Sequence, residues 1–198
     1  MQLTLASGGP PALDTTFQRA QRTQLSAKAW LEVVPSWLSG STALFDELHD
    51  SMRWRGQRRQ MYDRIVDVPR LMARPPDDGP EPVLVARAAA ALSRRYGVHF
   101  DSRAFALYRD GRDSVAWHGD RLGDLRANSV VAILSVGGRR KFQLRPAGGG
   151  RSKTLPLSTG DLVVLGGDAQ ETWEHTVPKQ PWAAPRIAVM FRHSARLS

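Results

Sequence analysis

From Arg103 onward, short β-prone runs follow one another so closely, each cut off by turn residues, that few architectures can hold them. Phe105 to Tyr108, Ser114 to Trp117, Ser129 to Ser135, Lys141 to Arg145, Lys153 to Leu157, Asp161 to Leu165, Glu174 to Val177 and Arg186 to Phe191 all read as strands. Asp110-Gly111, Gly137-Gly138, Gly148-Gly149-Gly150, Thr159-Gly160 and Gly166-Gly167 mark the turns between them. Many short strands with frequent turns predict a sandwich or jelly roll: two stacked antiparallel sheets with an open mouth between them in which a ligand can be held.

The first half has a different texture. Residues 1–24 mix Gly, Pro, Ser and Gln without sustained periodicity and read as a loosely held arm. Trp30 to Val34 reads as a short strand ended by Pro35, and a helix capped by Ser39 or Ser41 runs to about Met52 with Leu44, Phe45 and Leu48 on one face. A second helix is expected from Pro82 to Tyr96, with Gly97 as its stop. At 198 residues the chain suits one domain, residues 25–198, with the jelly-roll core at about 103–193. The expected class is α+β, mainly β, with the early helices packed on one outer face.

Composition narrows the chemistry. The sequence has no cysteine, which removes disulfides, zinc thiolates, iron–sulfur clusters and thiol nucleophiles together. Any metal site must use His, Asp or Glu. No apolar run approaches the roughly 20 residues that cross a bilayer, and the N-terminal residues lack a secretory pattern, so a cytoplasmic location is expected. A net charge of +9 concentrates polyanions near the surface, which makes nucleic acid the natural partner.

Among five histidines, two sit in expected core strands near a carboxylate. In Trp117-His118-Gly119-Asp120, the i and i+2 side chains can face one point on a strand. His175 lies in a much later strand that a second sheet could bring alongside. Two imidazoles and one carboxylate on one face of an octahedral iron leave positions for co-substrate and oxygen. A His-x-Asp triplet also arises by chance, so this reading needs a co-substrate pocket. Arg186, Ala188, Met190 and Arg192 share one strand face. Two guanidinium groups in the metal cavity would suit a dicarboxylate, which each can grip in a bidentate manner; the alternative is that both snorkel to the rim.

With these residues in hand, the stretch from Ala104 to Arg192 resembles the AlkB-type iron(II)/2-oxoglutarate-dependent dioxygenases of nucleic-acid dealkylation repair. The elements fall in family order: Tyr108 before Asp110-Gly111, then Asp113 to Asp120, the strand Val131 to Val136, Lys141 to Arg145, Gly160 to Gly167, His175 with Pro178, and Arg186 to Arg192. Similarity around Met61 to Leu71 is weaker. The resemblance implies a double-stranded β-helix and the cofactors Fe(II), 2-oxoglutarate and O2. It implies that His118, Asp120 and His175 bind the iron, that Tyr108 and Arg186 hold the distal carboxylate, and that Arg192 contacts the end nearer the metal. Ala106 and Ala188 stand where the family usually has asparagine, and Leu122 where base-repairing members often have an acid. The lost amides predict weaker co-substrate binding, and Leu122 argues against one mode of base reading.

The implied activity is oxidative dealkylation of alkylated DNA or RNA bases, with formaldehyde, succinate and CO2 as products when the group is methyl. A base must leave its stack to reach a buried iron unless the strand is already single. Trp54, Met61, Tyr62 and Trp117 are candidate platforms for it, or else core. Arg53, Arg55, Arg58, Arg59, Arg64 and Arg70 form one basic stretch, and Arg139, Arg140, Lys141, Arg145, Arg151 and Lys153 another. Either can be a strand-binding groove or a solvated face. The rival readings are a 2-oxoglutarate oxygenase of a protein, lipid or small molecule, and a non-catalytic nucleic-acid-binding jelly roll. No obligate protein partner is implied.

Overall fold

A computed structural model describes residues 9–61, 64–120 and 129–193, with the side chains of residues 57–61 and 64–67 outside that description. The element order is β1 (Ala12–Leu13), β2 (Gln21–Gln24), β3 (Ala29–Val34), β4 (Leu38–Ser39), α1 (Ser41–Ser51), β5 (Arg55–Met61) and β6 (Arg64–Ala73), followed by α2 (Val83–Tyr96). The second half contains β7 (Ser102–Tyr108), β8 (Val115–His118), β9 (Ser129–Gly137), β10 (Arg140–Pro146), β11 (Lys153–Leu157), β12 (Leu162–Gly167), α3 (Ala169–Thr172), β13 (Trp173–Val177) and β14 (Arg186–Arg192). An eight-stranded sheet in the order β2-β3-β12-β9-β14-β7-β6-β5 faces a four-stranded sheet in the order β11-β10-β13-β8. This is the expected jelly roll.

Strand alternation decides which residues enter which layer. On β14, Ile187, Val189 and Phe191 point to the helical side and pack with Leu44 and Leu48 of α1 and Val85, Ala88 and Leu92 of α2. Ala188 and Met190 point the other way, into the space between the sheets, with Ile133, Phe142 and Leu144. Strands sandwiched on both faces read as continuous apolar runs, and this is why Val130 to Leu134 shows no polar alternation. Helices α1 and α2 thus cover one outer face, as expected. Gly97 ends α2 in the left-handed conformation, φ 67°, that favours glycine.

The expectation of a loose arm over residues 1–24 is corrected from residue 9 onward. Strand β2 pairs antiparallel with β3, Gln21 opposite Val33, and Phe17 is buried against Trp37 at a ring distance of 5.6 Å. The arm is held because Phe17 supplies the apolar anchor that a polar stretch otherwise lacks. The β5–β6 hairpin is a second addition; its Arg- and Gln-rich first strand carries no β signal. No helix among the described residues is long and apolar enough to cross a membrane.

Candidate active site

Between the two sheets lies a cavity of about 430 Å³, within the range of roughly 300–1,000 Å³ common for small-molecule sites. The smaller sheet contributes His118 and His175, which are direct cross-strand partners on β8 and β13. Their ring centroids are 4.3 Å apart. Phe142 of β10 stacks on the other side of His175 at 5.3 Å, so one imidazole is walled by the other and by a phenyl ring.

Asp120 follows β8 after Gly119. A Cβ at residue 119 would stand 2.4 Å from the Gln170 carbonyl oxygen, so only glycine lets the chain pass α3 this closely. The Asp120 amide donates to Gln170 Oε1 at 2.8 Å. Arg192 Nη2 donates to Asp120 Oδ1 at 2.6 Å, while Oδ2 is buried with no hydrogen-bond partner. Among the described residues no three His, Cys, Asp or Glu side chains are already gathered at metal-binding spacing. His118 and Asp120 have local commitments: His118 Nδ1 lies 2.8 Å from the Ala116 carbonyl, and Asp120 leans on Arg192. The donor set still fits a divalent iron: two imidazoles, and a carboxylate oxygen left free in the same cavity.

Electrostatics favour the ligating forms. Burial pushes the His175 imidazole down to about 3, reinforced by His118 and opposed by Asp120. Burial likewise lowers His118. For Asp120 burial acts upward, but Arg192 and the two imidazoles outweigh it and hold the carboxyl below its usual range. Neutral imidazoles beside an ionised carboxylate are what a cation requires.

The larger sheet supplies the anion-binding wall. Arg186, Ala188, Met190 and Arg192 all line the cavity, as their alternation predicts. Arg186 is 1% exposed; its Nε donates to Ser135 Oγ at 2.7 Å, and its guanidinium sits 5.3 Å from the Tyr108 ring. Its Nη1 is buried without a partner. Burial brings its pKa down to about 10, helped by Arg140 and Arg70 and opposed by Tyr108, so it remains a cation at neutral pH. Arg70 Nη1 donates to the Tyr108 hydroxyl at 3.2 Å, and Arg70 Nε is a further buried donor with no acceptor. Four arginines, Arg70, Arg74, Arg186 and Arg192, and one carboxylate therefore line this cavity, and each of Asp120, Arg70 and Arg186 leaves a polar atom unsatisfied. Buried orphans of this kind are rare in native proteins and call for an explanation.

Ser135 and Phe142 were not read from the sequence as site residues, and Arg70 was read only as a phosphate contact. Ser135 carried a signal, as the one polar residue in the apolar run from Val130 to Val136; it lies opposite Ala188. Arg70 and Ser135 supply donors in the neighbourhood of the absent amides at Ala106 and Ala188, which are themselves a cross-strand pair.

The nucleic-acid residues scatter. Arg140 is corrected: it is 1% exposed and donates to the carbonyls of Asp110, Asp113 and Pro178 at 2.6–3.1 Å. Alternation along β10 turns Arg140 inward while its neighbours Arg139 and Lys141 are exposed. Arg53 is exposed and donates to the Asp77 carbonyl, and Arg55 pairs with Asp78 at 2.6 Å. The side chains of Arg58, Arg59, Met61 and Arg64, and the whole of Tyr62 and Leu122, lie outside the described residues. Trp117 does not line the cavity; its ring is covered by Arg145 at 4.1 Å. Trp54 packs against the helical core.

A family model described as the 2OG-Fe(II) oxygenase superfamily matches residues 21–197. The Bos taurus alpha-ketoglutarate-dependent dioxygenase alkB homolog 3 is 32% identical over 149 residues, covering 70% of this chain and 49% of the relative. The Homo sapiens protein of the same name is 31% identical over the same shares. The chain thus spans about half the length of the curated relatives it matches. Among solved structures, OsALKBH1 superposes with a TM-score of 0.60 at 12% identity, over 87% of this chain and 100% of that one. An oxidoreductase of the 2OG-Fe(II) oxygenase family from Burkholderia pseudomallei gives 0.55 at 13%, over 82% and 84%; at such identities the likeness is one of fold. The family match over most of the chain makes this protein a member of the 2OG-Fe(II) oxygenase superfamily, whose enzymes use Fe(II), 2-oxoglutarate and O2 and whose AlkB homologs are among the proteins it resembles.

Proposed function

We propose that the chain is an oxidative dealkylase of alkylated bases in DNA or RNA. The observation that carries this reading is the grouping of unsatisfied buried atoms in one cavity, Asp120 Oδ2 beside paired imidazoles and Arg186 Nη1 beside Tyr108. In this reading His118, Asp120 and His175 hold Fe(II). Arg186, with Tyr108 and Arg70, takes the distal carboxylate of 2-oxoglutarate, and Arg192 fixes Asp120 while facing the other end. When bound, iron with 2-oxoglutarate and O2 supplies the oxidising power to hydroxylate a C–H bond, and the keto acid leaves as succinate and CO2.

The chain's own residues bind and orient. Arg186 presents a preformed cation because Ser135 fixes its Nε, so little ordering accompanies co-substrate binding. Phe142, Met190 and Ile133 keep the cavity wall apolar and exclude water. The alkyl carbon of a base becomes a hydroxyalkyl group on nitrogen, and that bond breaks to release the aldehyde and the bare N–H. The relatives' names, a net charge of +9 and the exposed cation Arg74 on the cavity lining support a polyanionic substrate.

Protein supplied with Fe(II), 2-oxoglutarate and O2 is expected to release formaldehyde from N-methylated oligonucleotides in step with succinate, and His118→Ala to abolish both. Succinate formation without aldehyde from any methylated DNA or RNA would show that the cavity is catalytic and its substrate lies elsewhere, among proteins, lipids or small molecules.

A further inference from the structure

We propose that a ridge formed by Trp182, Lys179, Arg139 and Lys141, at the Arg186 end of β14, is a second contact for single-stranded nucleic acid, separate from the cavity that receives the target base. The proposal rests on the nucleic-acid reading above and adds to it a place, a chemistry and a length requirement.

Trp182 is 81% exposed, and it stands on a loop, residues 178–185, that is fixed at several points. Gln180 donates its amide to the Gly111 carbonyl at 2.8 Å and accepts the Lys141 amide on Oε1 at 2.9 Å. Arg140 holds the Pro178 carbonyl, and Gly138 donates to the Pro185 carbonyl at 2.6 Å. Gly138 approaches so closely that a Cβ there would stand 2.4 Å from the Ala184 carbonyl oxygen. Pro178, Pro181 and Pro185 stiffen the loop further. An indole on a backbone this constrained is a preorganised platform, offered to solvent without a further ordering cost.

The same contacts bring the cations to it. Gln180 ties the loop to Lys141, and Gly138 precedes Arg139. Arg139, Lys141 and Lys179 are all exposed, and none has an ion pair among the described residues. The two acids nearby are already engaged: Asp110 by Arg112 at 2.7 Å and Asp113 by Arg109 at 2.8 Å. The outcome is a field of unmatched positive charge around one flat aromatic face. Single-stranded nucleic acid offers both counterparts, phosphates for the cations and a base to stack on the indole. An acidic peptide would satisfy the cations and leave the indole without a flat partner.

The ridge lies at the Arg186 end of β14. Arg186 is fully enclosed, whereas Arg192 at the other end is partly exposed beside Asp120. Six residues of strand at about 3.3 Å each separate the two ends by about 20 Å. Stacked nucleotides advance about 3.4 Å each along a strand, so a dinucleotide cannot engage ridge and cavity together while a dodecamer can.

The test is fluorescence anisotropy of labelled dT12 and rU12 with wild type, Trp182→Ala, Trp182→Phe and the Lys141→Gln/Lys179→Gln double variant. Circular dichroism melting checks that each variant is folded. Trp182→Ala is expected to weaken binding about 5- to 100-fold, the effect of losing one stacked base, and Trp182→Phe to retain most of it. The double lysine variant should flatten the slope of log affinity against log salt by about 1.4. An unlabelled dinucleotide, too short to bridge ridge and cavity, should displace the labelled oligomer from wild type far less well than unlabelled dT12, and equal displacement would overturn the two-contact requirement. Wild-type binding that Trp182→Ala leaves intact overturns the ridge alone; failure of wild type to bind either oligomer overturns ridge and nucleic-acid reading together. If polyglutamate binds with the same dependence on Trp182, the surface is a protein-docking face and the proposal is wrong.

Discussion

The two oxygens of Asp120 face different neighbours, and the difference shows how single residues set this site. Oδ1 is claimed by Arg192 at 2.6 Å, while Oδ2 is buried without a hydrogen-bond partner on a residue that lines the same cavity as His118 and His175. The main chain at Asp120 is in turn held by Gln170, a buried residue behind the cavity whose Nε2 has no partner. Gln170 therefore acts as a positioning residue: it fixes the peptide from which a proposed ligand projects and touches no reacting group. Gln170→Ala is expected to weaken Mn(II) binding, read by electron paramagnetic resonance or calorimetry, about 10- to 100-fold, as losses behind a metal ligand usually do. Gln170→Glu keeps the acceptor and should recover much of it. Equal Mn(II) affinity in wild type and Gln170→Ala would remove Gln170 from this role. The His-x-Asp triplet and the spaced arginines were legible because their periods are local. Gln170 was not, since nothing in its neighbours announces that α3 will dock under a turn fifty positions earlier in the chain.

Glu32 does for the elements what Asp120 does for the cavity. It is 3% exposed on β3 and accepts from Arg22 of β2 at 3.0 Å, from Arg95 of α2 at 3.2 Å and from the Tyr96 hydroxyl at 2.6 Å. One carboxylate thus clips the N-terminal strand and the second helix to the major sheet. Burial acts upward on its pKa, but Tyr96, Arg22 and Arg95 together outweigh it and hold Glu32 below the usual carboxylate range. A depressed carboxylate contributes stability above its unfolded value, 4.5, and loses it as the pH falls through the folded value. Acidification below about pH 4.5 should therefore loosen β2 and α2, and Trp30, stacked on Tyr96 at 5.9 Å, gives a fluorescence signal for it. Glu32→Gln should cost on the order of 1.5 to 3 kcal/mol in urea denaturation at neutral pH and flatten this acid dependence. An unchanged acid profile in Glu32→Gln would mean that other carboxylates govern it. At this scale the long apolar strands and both larger helices were readable to within a few residues. The N-terminal arm was misread because its order comes from Phe17 and from Glu32, whose partners lie elsewhere in the chain.

For the whole molecule, the closure of two sheets around a charged cavity links folding to ligand binding. Anything that binds only the folded state stabilises it by mass action, by about 2.7 kcal/mol at one hundred times the dissociation constant. In a domain of this size that raises Tm by about 5 to 10 °C. Mn(II) with 2-oxoglutarate, which lacks the redox chemistry of iron, is expected to produce such a shift in differential scanning fluorimetry, and His175→Ala to lose it; a melt indifferent to both ligands would separate this chain from its family's cofactors. The sequence by itself determined the strand-rich second half, the exclusion of thiol chemistry, the excess of positive charge and the spacing that puts His118 with Asp120, and Arg186 with Arg192, on shared strand faces. These follow from composition and from periods of two and of about 3.6, which each segment carries within itself. Only the tertiary structure decided that Arg140 is interior while Arg139 and Lys141 are exposed, that Arg70 and Ser135 join Arg186, that Trp117 does not line the cavity and that Trp182 is exposed to solvent. A strand's alternation names two faces without saying which will be buried, and that choice is made by the sheet that packs against it.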